Sequence, residues 1–445
     1  MKIYNSYTGQ LEPFVPRHEN KVSMYVCGPT VYNYIHIGNA RPVVFFDTVR
    51  RYFETKGFEV RFASNFTDVD DKIIQKAKET DQTAFEVAEH YIQAFLSDIE
   101  KLRSKTDYIK PRVTEYMGHI IHYVAELIRL GYAYEVDGDV YFRVEKIADY
   151  GHLSNRKIDE LLSGARIEVS TKKESPLDFT LWKKTDDGIQ WDSPFSSGRP
   201  GWHTECVAMI DDIFGEEIDI HGGGVDIIFP HHENEIAQSI ACHGHTVARY
   251  WMHNGRLNID GAKMSKSEGR MVLVKDLAVD TRGFRMFLLS THYRSPINYT
   301  EEALDVYVKE WAKVEKTVQA LFRKLDLAGV LNEQIRVDTP ELAKYLEDFD
   351  EAMDQDFNTP NALTVLSAQV KAANTLLRQP FNASLLNQTL FALRRNLLVF
   401  GLEADLVRLS EEDRALFKAW DDARAAKDFA RADEVRQELA KRNLL

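Results

Sequence analysis

Lys21-Val22-Ser23-Met24-Tyr25-Val26-Cys27-Gly28-Pro29-Thr30 is the stretch on which the fold turns. Lys21 to Val26 reads as a strand, and the turn at Gly28-Pro29 ends it. From Gly38 through Lys56, Val43, Phe46, Val49 and Phe53 recur at helical spacing, with Gly57 following as a C-cap. Val60 to Asn65 is the next strand. Strand, helix and strand in that order predict an α/β fold on a parallel sheet. Ligands of such sheets bind outside the carboxyl ends of the strands, here Cys27-Gly28-Pro29 and Asn65-Phe66-Thr67-Asp68.

Further along, Phe85, Ala88, Ile92, Phe95 and Ile99 have helical spacing, as do Met117, Ile121, Val124 and Ile128 before Gly131. Tyr132 to Val136, Asp137-Gly138 and Asp139 to Val144 then read as a hairpin, which interrupts the alternation. Residues 114–199 therefore look like an insertion. The sheet pattern resumes near Gly201 with Trp202-His203-Thr204-Glu205-Cys206, and continues through Ile218-Asp219-Ile220 into His221-Gly222-Gly223-Gly224. From about Tyr299 the chain reads as helices. Tyr307, Trp311, Val314, Val318 and Leu321 form an apolar stripe expected in a core, and Asn358-Thr359-Pro360 is a turn.

At 445 residues the chain exceeds one compact core, so several domains are expected. Its 44% hydrophobic and 28% charged residues fit a globular protein. No apolar run is long enough to span a membrane, and Met1-Lys2-Ile3-Tyr4-Asn5-Ser6 does not open like a secretory leader. Three widely spaced cysteines, Cys27, Cys206 and Cys242, argue for a reducing cytoplasm rather than a disulfide framework. A net charge of −13 leaves a nucleic-acid partner to local patches such as Arg50-Arg51, Lys172-Lys173, Lys183-Lys184, Arg394-Arg395 and Lys441-Arg442.

Two segments point to phosphate chemistry. Lys263-Met264-Ser265-Lys266-Ser267 sits between Gly261 and Gly269, and its ammonium and hydroxyl groups suit phosphate oxygens. Alone, such a loop is most often solvated surface. Far upstream stands His36-Ile37-Gly38-Asn39, where a histidine donates and a glycine lets a ring approach the backbone.

A third cluster has metal-ligand character. In Phe229-Pro230-His231-His232-Glu233-Asn234-Glu235, Pro230 suits the first turn of a helix, which puts His231 and Glu235 on one face. Cys27 and Cys206, both at expected strand ends, could add thiolates. Two sulfurs, one imidazole and one carboxylate suit Zn²⁺. From the residues alone, a surface hydrogen-bonded pair and two buried cysteines acting as small hydrophobes remain equally open.

Read together, the segments carry a resemblance. His36-Ile37-Gly38-Asn39 and the lysine loop resemble the HIGH and KMSKS signatures of class I aminoacyl-tRNA synthetases. Met24 to Tyr32, Thr67 to Ile74, Gly198 to Cys206, Ile220 to Asp226, His231 to Glu235 and Trp251 to Gly255 resemble the cysteinyl-tRNA synthetase family. The resemblance implies a Rossmann-like catalytic domain with an inserted segment, followed by a C-terminal α-helical bundle. It implies one Zn²⁺ per chain on Cys27, Cys206, His231 and Glu235. It implies an amino-acid pocket with Thr67, Trp202 and His221. ATP, with Mg²⁺, would lie against His36, Gly38, Asn39, Gly222, Gly223, Asp226 and Lys266. His36, Lys263 and Lys266 would stabilise charge as the carboxylate attacks the α-phosphorus. The partners implied are L-cysteine and tRNA(Cys), with no membrane, in a cytoplasmic monomer.

The expected division has halves of the catalytic domain at 1–113 and 200–260, around a connective segment at 114–199. A lysine loop and stem-contact region at 261–305 follows, then a helical tRNA-binding bundle at 306–400 and a small anticodon-side region at 401–445. A metal sensor makes sense for this substrate, because apolar pockets separate isosteres such as cysteine and serine poorly, whereas a thiolophilic ion does so by bond chemistry. Four protein ligands already complete a tetrahedron, so the substrate sulfur is expected as a fifth ligand, or in place of a loosened Glu235.

The chain departs from the family in two places. Gly269-Arg270 stands where Gly-Asn is usual, and the sequence stops at Asn443-Leu444-Leu445, short of a Gly- and Trp-containing tail, so weaker or rearranged anticodon recognition is expected. Three rival readings fit less of the chain. A cysteine ligase acting on an amino-sugar would have a reduced helical region. A non-catalytic paralogue would have lost His36, Lys266 or a ligand. A zinc hydrolase using Glu233 or Glu205 as base leaves the lysine loop unexplained.

Overall fold

The computed structural model describes residues 1–157, 172–259, 262–263, 271–442 and 444. The chain forms two compact units. One comprises Met1–Val308, Glu351–Pro360 and Val399–Gly401; the other comprises Lys309–Asp350, Asn361–Leu398 and Leu402–Leu445.

At the centre of the first unit is the expected parallel sheet. Its strands lie in the order Ala248–Asn254, Ile218–Gly224, Lys21–Val26 and Glu59–Ser64, all parallel. Met24 pairs with Ile220 on one side and with Phe62 on the other. The helix Ile37–Thr55 carries the chain from Lys21–Val26 to Glu59–Ser64, and the later strands add to the opposite edge. The strand order therefore reverses beside Lys21–Val26, and the crevice where such sheets bind ligands opens there. The helix is buried on more than one face, with Val44, Phe45, Phe46, Val49, Tyr52 and Phe53 all inside. A single stripe was too narrow a reading, because this helix is covered on both sides by the fold.

Asp137 and Gly138 both have positive φ, 55° and 90°, as a two-residue hairpin loop requires. They join Ala133–Val136 to Asp139–Phe142, which continue into Phe179–Lys184 and Gly198–Pro200 as an antiparallel four-stranded sheet.

Two local expectations change. Trp202–Phe214 is a helix rather than a strand, closed by Gly215 in the left-handed region, so Cys206 stands on a buried helical face. Val207 and Ile210 pack inward at helical spacing, which outweighs the short apolar run read as a strand. The Pro230 helix also starts late. Ile228–His232 is one wide turn, with Phe229 outside helical dihedrals (φ −131°, ψ 132°), and the regular helix is Glu233–His243. Arg50 and Arg51 are no surface patch: both are buried, pairing with Glu54 and Asp47.

The second unit is helical. Trp311, Val314, Val318 and Leu321 of the expected stripe are buried in it, on the helix Glu301–Leu327. Pro340–Asp354, Thr359–Leu376 and Ala383–Phe400 supply further core residues, among them Phe349, Leu366 and Leu393. Helices Glu411–Ala425 and Phe429–Lys441 close over Phe417, Val435 and Leu439. Among the described residues, no helix is long and apolar enough to cross a membrane.

Candidate active site

Cys27 follows the last residue of the Lys21–Val26 strand, where the backbone turns outward. Its neighbour Gly28 donates its amide to Asn65 Oδ1 at 2.9 Å, across to the next strand's end. The two chain segments are so close that a Cβ on Gly28 would lie 1.7 Å from the Asn65 carbonyl oxygen. From the far side, the helix starting at Trp202 brings Cys206 to 3.6 Å from Cys27, sulfur to sulfur. The wide turn at Ile228–His232 delivers His231, and the helix behind it delivers Glu235. His231 Nε2 meets Glu235 Oε1 at 2.8 Å, and Cys27 Sγ lies 3.5 Å from the same oxygen.

The ligand atoms of Cys27, Cys206, His231 and Glu235 all lie within 4.8 Å of one another, and all but Cys27 are buried. Two sulfurs, a nitrogen and a carboxylate oxygen pointing at one spot fit Zn²⁺ in number and softness. Electrostatics agree with a cluster built for positive charge. Burial would raise the Glu235 carboxyl, yet His221 and His231 hold it well below its usual range. Burial would lower His231, yet Glu235 and Cys206 carry it to about 10. The Cys206 thiol falls to about 6, chiefly by accepting a hydrogen bond from Cys27, whose own thiol is pushed up by burial.

Several of the other residues singled out in the sequence surround this point or border the adjoining cavity. Trp202 lies against His231 with ring centroids 4.3 Å apart and the planes tilted by 31°, and keeps 41% of its surface exposed, so it forms a rim. Thr67 is buried and donates to Glu205 Oε2 at 3.3 Å. Burial raises the Glu205 carboxyl well above its ordinary value. His221 Nε2 reaches Glu235 Oε2 at 2.7 Å. A cavity of about 370 Å³ opens beside Cys27, lined also by His36, Gly38, Asn39, Asp226 and Arg256. Gly222 and Gly223 lie in the strand behind it: a Cβ on Gly222 would strike the Phe46 ring at 2.1 Å, and Gly224 forms the cavity wall. Lys263 ends a short strand, Ala262–Lys263, paired with Leu257–Ile259. Lys266 lies outside the described residues, as do Gly269 and Arg270.

Sequence reasoning missed part of the site. His232 and His253 are fully enclosed, joined Nδ1 to Nε2 at 2.8 Å, and His232 Nε2 lies 3.4 Å from Cys27 Sγ. His203 meets His231 at 3.2 Å, Nδ1 to Nδ1, and burial drops its pKa to about 3. Each of these histidines sat in a segment already quoted. No local pattern marked them, because their partners lie on other segments of the chain.

Comparison with known proteins agrees with this architecture. The family model described as "tRNA synthetases class I (C) catalytic domain" matches residues 13–309, and the DALR domain matches residues 348–404. The cysteine–tRNA ligase of Anoxybacillus flavithermus is 47% identical over 451 residues, covering 100% of this chain and 97% of the relative. That of Oceanobacillus iheyensis is 48% identical over 452 residues, with 100% and 97% covered. Among solved structures, Mycobacterium tuberculosis methionyl-tRNA synthetase in complex with methionyl-adenylate shares the fold, with a TM-score of 0.61 at 17% identity, covering 85% of this chain and 89% of the other. A LeuRS from Agrobacterium radiobacter K84 in a ternary complex gives 0.66 at 10% identity, covering 87% and 84%. With its catalytic-domain match, its helical domain and full-length relatives of one kind, the chain belongs to the cysteine–tRNA ligase family of class I tRNA synthetases.

Proposed function

We propose that this enzyme activates L-cysteine with ATP and transfers it to the 3′ end of tRNA(Cys), with Zn²⁺ selecting the substrate thiolate. The observation that carries the reading is the convergence of Cys27, Cys206, His231 and Glu235 within 4.8 Å, beside a cavity that Cys27 shares with His36, Gly38, Asn39 and Asp226. The relatives named above for the same reaction support it.

Held by those four residues, Zn²⁺ would supply a sulfur-seeking Lewis acid that prefers cysteine to serine. The chain's own groups do the rest. Trp202 packs against His231 and closes one side of the amino-acid pocket; Thr67 and His221 border it. His36 Nδ1 accepts the amides of Gly38 and Asn39, so its proton rests on Nε2 and that nitrogen donates. Phosphate oxygens would meet this donor at the positive end of the helix Ile37–Thr55. Gly222 and Gly223 keep the strand behind the cavity slim, Asp226 takes the nucleotide side, and Lys263 and Lys266 follow charge onto the departing pyrophosphate. Mg²⁺ accompanies ATP, and the working form is a cytoplasmic monomer.

Cysteine-dependent ATP–pyrophosphate exchange, run with a zinc measurement on the same preparation, tests the reading. Exchange with cysteine, none with serine and one zinc per chain are expected. No exchange with cysteine overturns the activity; undiminished selectivity in metal-free enzyme overturns the metal's part.

A further inference from the structure

Two donor sets converge in the active site, and they share two members. Beside the first set stands Cys27, His221, His232 and Glu235, whose four ligand atoms also lie within 4.8 Å of one another. We propose that this second set is a metal seat in its own right, able to hold a divalent transition ion when the first set is incomplete. The proposal rests on the reading of the first set as the zinc site.

The wiring of two imidazoles carries the argument. The Tyr25 carbonyl can only accept, so His221 Nδ1, 2.9 Å away, is the protonated nitrogen. Its Nε2 is therefore the ring nitrogen turned to the cluster, 2.7 Å from Glu235 Oε2 and 3.8 Å from Cys27 Sγ. A second ring proton closes this contact in the ion-free protein, and a metal cation would take that proton's place.

His232 is built alike. Its Nε2 faces Cys27 Sγ at 3.4 Å, while its Nδ1 shares a proton with His253 Nε2 at 2.8 Å, either nitrogen being able to carry it. Ligating histidines characteristically anchor their other nitrogen in this way, on a backbone carbonyl or a neighbouring acceptor. Both rings, and Glu235, are buried. The Cys27 thiolate and the Glu235 carboxylate together balance a dication. Because both seats need those two groups, they hold one ion between them, with two protein sulfurs in the first seat and one in the second.

Cobalt(II) alone, added to the metal-stripped full-length protein, separates the seats, since its thiolate charge-transfer absorption counts sulfur ligands. Wild type should bind one ion with a two-sulfur spectrum. Cys206→Ser, and Cys206→Ala in parallel, should still bind one ion, with that absorption roughly halved. Adding His232→Ala to either should weaken binding by at least about tenfold, the scale on which metal sites respond to lost support. The second seat is overturned if neither Cys206 variant holds cobalt, whether or not circular dichroism shows it folded. It is equally overturned if His232→Ala leaves their affinity unchanged. A wild-type chain lacking the two-sulfur spectrum counts against the first seat instead, and so against the proposed function.

Discussion

His36 Nδ1 accepts the backbone amide of Gly38 at 3.1 Å, so the first residue of the His36–Asn39 signature caps the helix that it opens. Asn39 completes the arrangement. Its amide shares the same ring nitrogen at 3.3 Å, and its side-chain oxygen takes the His36 amide at 3.2 Å. This reciprocal cap gives Asn39 a structural part beyond the ATP contact that the resemblance implies. Asn39→Ala removes one side of it. A loss of about 1 kcal/mol in stability is expected, as for other helix caps, with a several-fold rise in the KM for ATP. Urea unfolding and exchange kinetics check the two effects, and an unchanged variant on both counts would show the cap to be idle.

Gly28 lies where two strand ends nearly touch. An alanine there would drive its methyl into the Asn65 carbonyl, which is backbone and has no rotamer to yield. Gly28→Ala should cost about 1–3 kcal/mol, as over-packing does, and displace Cys27 next to it. Reduced zinc content in folded protein is the expected signature. Full zinc with normal stability would mean that the loop is softer than its contacts imply.

Much of this was legible beforehand, for particular reasons. Lys21–Val26 and Glu59–Ser64 read correctly as strands because the turn signals at Gly28-Pro29 and Gly57 bound them, and the hairpin at Asp137-Gly138 because its residues suit positive φ. The convergence of Cys27, Cys206, His231 and Glu235 was named from chemistry and resemblance; spacing alone left it open. The Trp202–Phe214 helix was missed because its short apolar run suits either element until the burial of Val207 and Ile210 decides. The His221–Glu235 and His232–His253 bonds were illegible because they join segments distant in sequence, and no local pattern encodes them.

Asp47 sets an acid limit on stability. It is buried, and burial alone would raise its carboxyl. Arg285 and Arg51, with the Lys105 amide, outweigh burial and hold it below the usual carboxylate range. A depressed folded pKa means that the unfolded chain binds the proton first as pH falls. The stabilisation is therefore complete above the unfolded value of about 3.9 and is lost as pH drops through the folded one. Asp47→Asn should destabilise by about 3–5 kcal/mol at pH 7, because it strands two buried arginines. The gap between wild type and variant in urea midpoint should close as the pH falls below about 4. A gap independent of pH would remove Asp47 from the acid response.

Lys266→Ala should leave cysteine and zinc binding intact while slowing activation. The loss expected is about 2–4 kcal/mol of transition-state stabilisation, as for other donors aimed at developing charge. Exchange kinetics with a parallel zinc measurement isolate the effect, and a near-normal rate would assign the departing pyrophosphate to another cation.

Arg41 ties the signature helix to the far wall of the cavity. Its guanidinium donates to the carbonyls of Gly255 and Ser295, each at 2.6 Å, and to those of Arg256 and His292, each at 3.1 Å. Only 2% of Arg41 is exposed, and burial lowers its pKa to about 10, so it stays charged at neutral pH. Gly255 and Arg256 line the same cavity as His36 and Gly38, so this one side chain fixes the spacing between opposite walls. Lysine keeps the charge but not the planar fork, and it cannot reach four acceptors in one plane. Arg41→Lys should therefore cost on the order of 2–3 kcal/mol, the scale of a lost charged hydrogen bond and an orphaned carbonyl. With the walls loosened, the KM for ATP should rise more than the KM for cysteine, because the metal donors stand on other segments. Equal changes in both constants would place the role of Arg41 in global stability alone, and a variant as stable as wild type would show that the four carbonyls find other partners.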